Sequence, residues 1–109
     1  MSTPLIGAMR HRLSLESASR ATDGGGGVTE TWTTMAEVWA SLDPATGDEL
    51  VAGEAVRGRI SHTIHIRHRS GIVPAMRFRL ATRIFDILAV IDIGERRRLL
   101  RCLCRERDL

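Results

Sequence analysis

From His62 to Arg69 the chain reads His-Thr-Ile-His-Ile-Arg-His-Arg, with apolar and polar side chains alternating every second residue. That period belongs to an extended strand, whose successive side chains leave on opposite sides. Ile64 and Ile66 are expected to face a core, and Thr63, His65, Arg67 and Arg69 to face out. After a turn at Gly71 to Pro74, Met76-Arg77-Phe78-Arg79-Leu80 repeats the alternation. Two successive strands that carry arginines on one side and apolar groups on the other predict a small antiparallel sheet with one buried face and one basic face. Between Ala55 and Phe85 lie seven arginines and no acidic residue.

The same period recurs elsewhere. Arg10 to Ser17 sets Leu13 and Leu15 against Arg12, Ser14 and Glu16, and reads as the first strand. Val28 to Trp32 resumes β character, and Ala36 to Leu42 sets Ala36, Val38, Ala40 and Leu42 against Glu37, Trp39 and Ser41. Trp39 is assigned to core packing ahead of a barrel-end or subunit contact, because aromatic bodies rarely stay wet. Phe85 to Ile93 places Phe85, Ile87, Ala89, Ile91 and Ile93 on one face, and Leu99 to Glu106 puts Leu100, Cys102 and Cys104 together. Thr46 to Gly58 differs: Leu50, Val51 and Ala55 recur at helical intervals, although Gly53 limits the helix to about two to three turns. Such a helix would plug or flank one opening of a barrel. Between Ser17 and Val28 the polar composition and the glycines Gly24 to Gly27 predict a long hairpin loop.

These pieces add up to six or seven strands in mostly local order. The expected fold class is all-β: a small antiparallel β-barrel with one short helix and a long glycine-rich loop, since closure removes the edges that short strands would expose. A length of 109 residues fits a single domain, 1-109, with 1-7 as a short N-terminal arm broken by Pro4 and Gly7.

Charge is unevenly placed. Residues 1 to 56 hold three arginines against eight acids, 57 to 85 hold seven arginines and no acid, and 86 to 109 hold six against five. Such bipolarity suits a nucleic-acid surface or copies of one protein joined positive face to negative face. All sixteen basic residues are arginine, which reflects either a preference for forked pairing or genomic base composition. No run approaches the roughly 20 apolar residues of a membrane span, and Met1 to Leu15 lacks the layout of a signal peptide, so a soluble protein made in the cytoplasm is expected.

The search for chemistry is negative. His62, His65 and His68 recur every three residues, but on a strand His65 points away from the other two, so they do not converge on a metal. Cys102 and Cys104 read as a reduced pair of small buried hydrophobes. No nucleophile elbow surrounds Ser61 or Ser70, and the glycine run lacks the spacing and lysine of a phosphate loop. Asp86 and Asp92 lie about 20 Å apart along an extended strand, too far for paired carboxylate catalysis. No enzyme and no cofactor are expected. The outward arginines Arg67, Arg69, Arg77 and Arg79 have three readings: contact to nucleic-acid phosphates without sequence preference, pairing with acids such as Asp48, Glu49 and Glu54 of an adjacent copy, or a plain solvated face.

From Gly7 to Glu106 the chain resembles the head-tail joining proteins of tailed bacteriophages, the head-closure or stopper family also found in gene transfer particles. The resemblance rests on Met9-Arg10-His11-Arg12-Leu13, Asp23 to Trp32, Val38-Trp39-Ala40 with Gly47-Asp48-Glu49-Leu50, His62 to Arg67 with Gly71 and Pro74 to Arg77, Phe85-Asp86-Ile87, and Asp92 to Leu100. It implies a β-barrel with a short helix, assembled as a ring between a portal-bound adaptor and the tail terminator or tail tube. It also implies closure of the exit channel after packaging of double-stranded DNA, without catalysis or cofactor. A ring of six is preferred over twelve because a typical tail tube is sixfold. The loop residues Asp23, Gly24, Gly25, Gly26 and Gly27, together with Gly71 and Pro74, become candidate contacts along the channel or with a neighbour.

Overall fold

A computed structural model describes residues 9–22, 24–44 and 60–107. Six strands make up most of it: β1 (His11–Thr22), β2 (Val28–Pro44), β3 (His62–Arg67), β4 (Arg77–Leu80), β5 (Arg83–Asp92) and β6 (Leu99–Glu106). Every neighbouring pair is antiparallel, and the order β1-β2-β3-β6-β5-β4 closes on itself. The closing seam is short: Ser14, Leu15 and Glu16 of β1 against Arg79, Phe78 and Arg77 of β4.

The inward residues of the alternating stretches make the core. Leu13, Leu15, Ala40, Ile64, Ile66, Phe78, Phe85, Ile87, Leu100, Cys102 and Cys104 fill the closed sheet, and Phe78 faces Leu15 on one side and Phe85 on the other. Both cysteines are free and buried there.

Of the expected small barrel with one short helix and a long glycine-rich loop, the closed sheet is present, while the helix and the loop are corrected. Among the described residues no α-helix occurs, only a 3-10 turn at Ile93–Glu95. The segment expected to be helical, Thr46 to Gly58, lies outside the described residues. Core residues also come from the connection between β3 and β4. These two strands stand three places apart in a cyclic order of six, so the connection must cross, and in crossing it buries Ile72 and Met76 in the core.

The loop from Ser17 to Val28 is also mostly strand. Pairing runs on from Ser17↔Thr33 to Thr22↔Val28, with Gly24 to Gly27 in the turn. Gly24 and Gly26 there take the left-handed backbone, φ 82 and 89, that glycine adopts without penalty. Small and β-branched residues pair well when a cross-strand ion pair helps, and Arg20 faces Glu30 in register at 3.2 Å. Past Glu16, β1 has β2 as its one strand neighbour. Six residue pairs therefore project as a two-stranded ribbon of about 20 Å, and the molecule measures 52 × 29 × 27 Å. It is elongated, with a closed body and an arm.

Two bulges alter the expected faces. Met35 is the extra residue where Leu15↔Ala36 gives way to Glu16↔Thr34, so Val28 to Pro44 is one strand with a kink. Leu88 is extra between Ile87↔Cys104 and Ala89↔Leu103. It shifts the parity of β5, so Val90, not Ala89 or Ile91, continues the inward row after Ile87. Trp39, expected in the core, is 55% exposed on the outer face of β2. Conversely Thr63 and His65, expected to be wet, are buried on the outer face of β3.

Candidate functional site

The arginine face expected from β3 and β4 does not exist as one surface, because β3 pairs with β2 and β6 while β4 pairs with β1 and β5. Its two halves have different environments.

On the β4 side, Glu16 points outward from β1 directly opposite Arg77. Arg77 Nε donates to Glu16 Oε1 at 2.6 Å, and Arg79 Nε lies 3.2 Å from Oε2. Arg77 and Glu16 are both largely buried, with side-chain exposures of 11% and 5%. The guanidinium of Arg77 also stacks on Trp32, 3.9 Å from the ring centroid, and that of Arg107 sits 5.7 Å from it. Trp32 Nε1 donates to Glu30, and Arg107 Nε donates to Asp86 at 2.8 Å. That last bond holds the Arg107 guanidinium above its ordinary pKa. The cluster sits at the root of the ribbon, where it ties β1, β2, β4 and β5 together. Its arginines have carboxylate partners already.

On the β3 side the arrangement is open. Arg67 ends its strand opposite Leu99, and the His68 amide donates to the Arg98 carbonyl at 3.0 Å. This places the Arg67 to Arg69 segment beside the turn between β5 and β6, which carries Arg96, Arg97 and Arg98. All five arginines are exposed, and among the described residues none of them forms an ion pair. The turn is held from within by Asp92, whose carboxylate accepts from the Arg97 amide at 3.2 and 3.3 Å.

The remaining titratable groups are structural. Burial pushes the Cys102 thiol up to about 12 and that of Cys104 well above its ordinary range, so both stay protonated. His62 packs edge-on against Phe85 at 5.2 Å, and burial lowers its pKa against the pull of nearby Glu106. His65 lies 3.3 Å from Ser41 Oγ, and Arg101 donates to its other nitrogen. Among the described residues no three His, Cys, Asp or Glu side chains converge as a metal site.

Comparison with known proteins identifies the setting for these features. The description of the phage head completion protein family matches residues 4–107. This chain belongs to that family. A chain in the virion of a native gene transfer agent particle is 33% identical over 90% of this chain and 94% of its own, with a TM-score of 0.66. Protein SF1141 from Shigella flexneri 2a, a solution structure, is 27% identical over 93% and 95%, with a TM-score of 0.70. The comparison with curated proteins gives no match. As a phage head completion protein, the chain is a structural, non-catalytic head-tail connector or closure component, placed in the particle at the head-tail junction.

Within this head completion protein the expected contact residues are dispersed. Gly24 to Gly27 form the tip of the ribbon. Gly71, at φ 88, and the exposed Pro74 lie on the crossing between β3 and β4. Asp23, Asp48, Glu49 and Glu54 lie outside the described residues. Sequence reasoning missed Glu16 as the partner of Arg77, because register between β1 and β4 has no local signal. It also passed over Arg96-Arg97-Arg98, a run of three cations visible in the sequence.

Proposed function

We propose that this head completion protein forms a ring below the portal-bound adaptor, closes the exit channel after DNA packaging, and presents the surface on which the tail terminator or tail tube docks. Six copies match a sixfold tail; twelve is the alternative. The observation that carries the proposal is the ribbon. Its six residue pairs extend beyond the core, and all of its side chains but those of Ser17, Ala18 and Trp32, at its root, are exposed. A lone two-stranded ribbon is marginal in water, so its place in the working assembly is against another chain. A ring neighbour supplies that chain, with the glycine tip Gly24 to Gly27 and the Gly71 to Pro74 turn touching neighbours or the channel. Asp48, Glu49 and Glu54 add acids to the same sequence that bears unpaired arginines, so like copies have opposite charges to offer one another.

Cryo-electron microscopy of complete particles and of particles lacking this protein tests the proposal. The expected result is a ring between adaptor and tail, and tailless or DNA-leaking heads in its absence. DNA-filled heads joined normally to tails without it defeat the proposal.

A further inference from the structure

We propose that Arg67, Arg69, Arg96, Arg97 and Arg98 form a binding site for the phosphate backbone of duplex DNA. The proposal rests on the head-tail junction reading, in which the protein lies on the path of packaged DNA.

Three observations favour a polyanion at this end of the sheet. The backbone brings two separate segments side by side, with Arg67 opposite Leu99 in register and the His68 amide on the Arg98 carbonyl at 3.0 Å. All five guanidinium groups are exposed. Among the described residues these two segments carry few acids: Asp92 is engaged in holding the Arg97 amide, and Glu95 is the other carboxylate of the turn. Elsewhere Arg12, Arg20, Arg77, Arg79, Arg83 and Arg107 each have a carboxylate within salt-bridge distance; Arg10 and Arg105 are exposed without an ion pair among the described residues, but each stands alone in its segment and not in a cluster.

Duplex phosphate fits this patch better than an acidic protein surface. Protein interfaces place charge on a rim around an apolar centre. Here neither the 67–71 segment nor the 93–99 turn exposes a large apolar side chain, and the exposed Val73 and Ile91 lie beyond their ends. Trp39, one residue past the last β2–β3 pair Ala40↔Ile66, stands at the margin of the patch and does not form a centre. Arginine forks accept the spacing of phosphate oxygens, and such contacts carry no base specificity.

Fluorescence anisotropy of the full chain with a labelled duplex, across salt, is the test. Five phosphate contacts give a log-log salt slope of about −4.5, at about −0.9 per contact. A variant with Arg96→Ala, Arg97→Asn and Arg98→Ala retains two contacts, and its slope falls to about −2. Asparagine is chosen because position 97 has φ 55, a backbone it tolerates. A control with Arg20→Ala, Arg83→Ala and Arg105→Ala removes the same net charge elsewhere and is expected to keep the parent slope. Circular dichroism checks folding. If the turn variant unfolds, the pair Arg67→Ala and Arg69→Ala replaces it, with an expected slope change of about 2. The site is overturned by absence of binding at 50 mM salt or by equal losses in turn variant and control. It is also overturned if the turn variant blocks particle assembly while duplex binding is unchanged, which marks an acidic protein surface. A ring seen at the junction alongside any of these results leaves the closure role intact and removes only the DNA site.

Discussion

Arg77 and Arg67 are the same residue type at the same kind of position, outward on a short strand, and they meet opposite fates. Arg77 is nearly buried, bonded to Glu16 and stacked on Trp32. Arg67 is exposed at the end of β3, among four other arginines. Nothing on either strand decides this. Each arginine's environment is set by the strand beside it, and β1 offers Arg77 a carboxylate in register. The paired cluster holds the ribbon to the body of the sheet, while the open cluster keeps its charge for a partner. Positive charge along a sequence is therefore a poor guide to where a binding surface lies until the neighbours are known.

The sharpest way to break that comparison is to remove the acid. Glu16→Ala leaves a buried guanidinium without its carboxylate, and stability should fall by about 3 kcal/mol. Arg67→Ala or Arg98→Ala should change it by no more than about 0.5 kcal/mol. Urea denaturation followed by circular dichroism reads both. Similar losses in the two groups mean that the open arginines are also structural, and the division fails.

Trp32 refines the same comparison. Trp32→Ala removes the ring under Arg77 and beside Arg107, at an expected cost of about 1–2 kcal/mol. Trp32→Phe keeps an aromatic face and should recover more than half. If the phenylalanine variant is as weak as the alanine variant, the bond from Trp32 Nε1 to Glu30 carries the effect, and the stack does not.

A smaller effect is expected from pH. Burial against Phe85 lowers the pKa of His62 from its ordinary 6.5, so the unfolded chain binds this proton more readily than the folded one. The stabilisation is present in full above 6.5 and is lost as pH falls toward the lowered value. Glu106, whose pKa is depressed by its bond from Arg83, acts with the same sign at lower pH: its contribution is present above 4.5 and lost below. Denaturation midpoints should decline from pH 7 to 5, and His62→Gln should flatten that decline. A decline unchanged in the variant assigns it to another group.

Much of the body of this fold was legible in the sequence because burial on one face writes a period of two. Leu13, Leu15, Ile64, Ile66, Phe78, Leu100, Cys102 and Cys104 all face inward as their alternation predicts. The pattern fails where a bulge resets it: Leu88 shifts the inward row of β5 from Ala89 to Val90, and a one-residue insertion has no compositional mark. The ribbon was hidden for the opposite reason. With no core to face, Ser17 to Thr22 needs no apolar alternation, and its polar composition looks like a loop. Trp39 was misplaced because residue type reports preference for burial, and only the sheet decides which face is covered. Of the candidate site, the excess of arginine was readable, but its division into paired and open groups depends on strand order, which joins β1 to β4 across some sixty residues.

Thr63 tests how dry the outer face of β3 is. It lies on the outer face of β3 between Asp43 and Leu103, is 1% exposed, and among the described residues gives its hydroxyl no hydrogen-bond partner. A buried hydroxyl without a partner loses water and gains nothing, whereas a methyl of the same shape carries no such penalty. Thr63→Val should leave stability unchanged or raise it by up to about 1 kcal/mol. Thr63→Ser keeps the hydroxyl and deletes the packed methyl, and should lower stability by about 1 kcal/mol. The order valine, threonine, serine marks the outer face of β3 as apolar in practice, as closed to water as the paired side of the sheet. The reverse order reveals a bonded hydroxyl, and β3 then regains the polar outer face that its alternation implies.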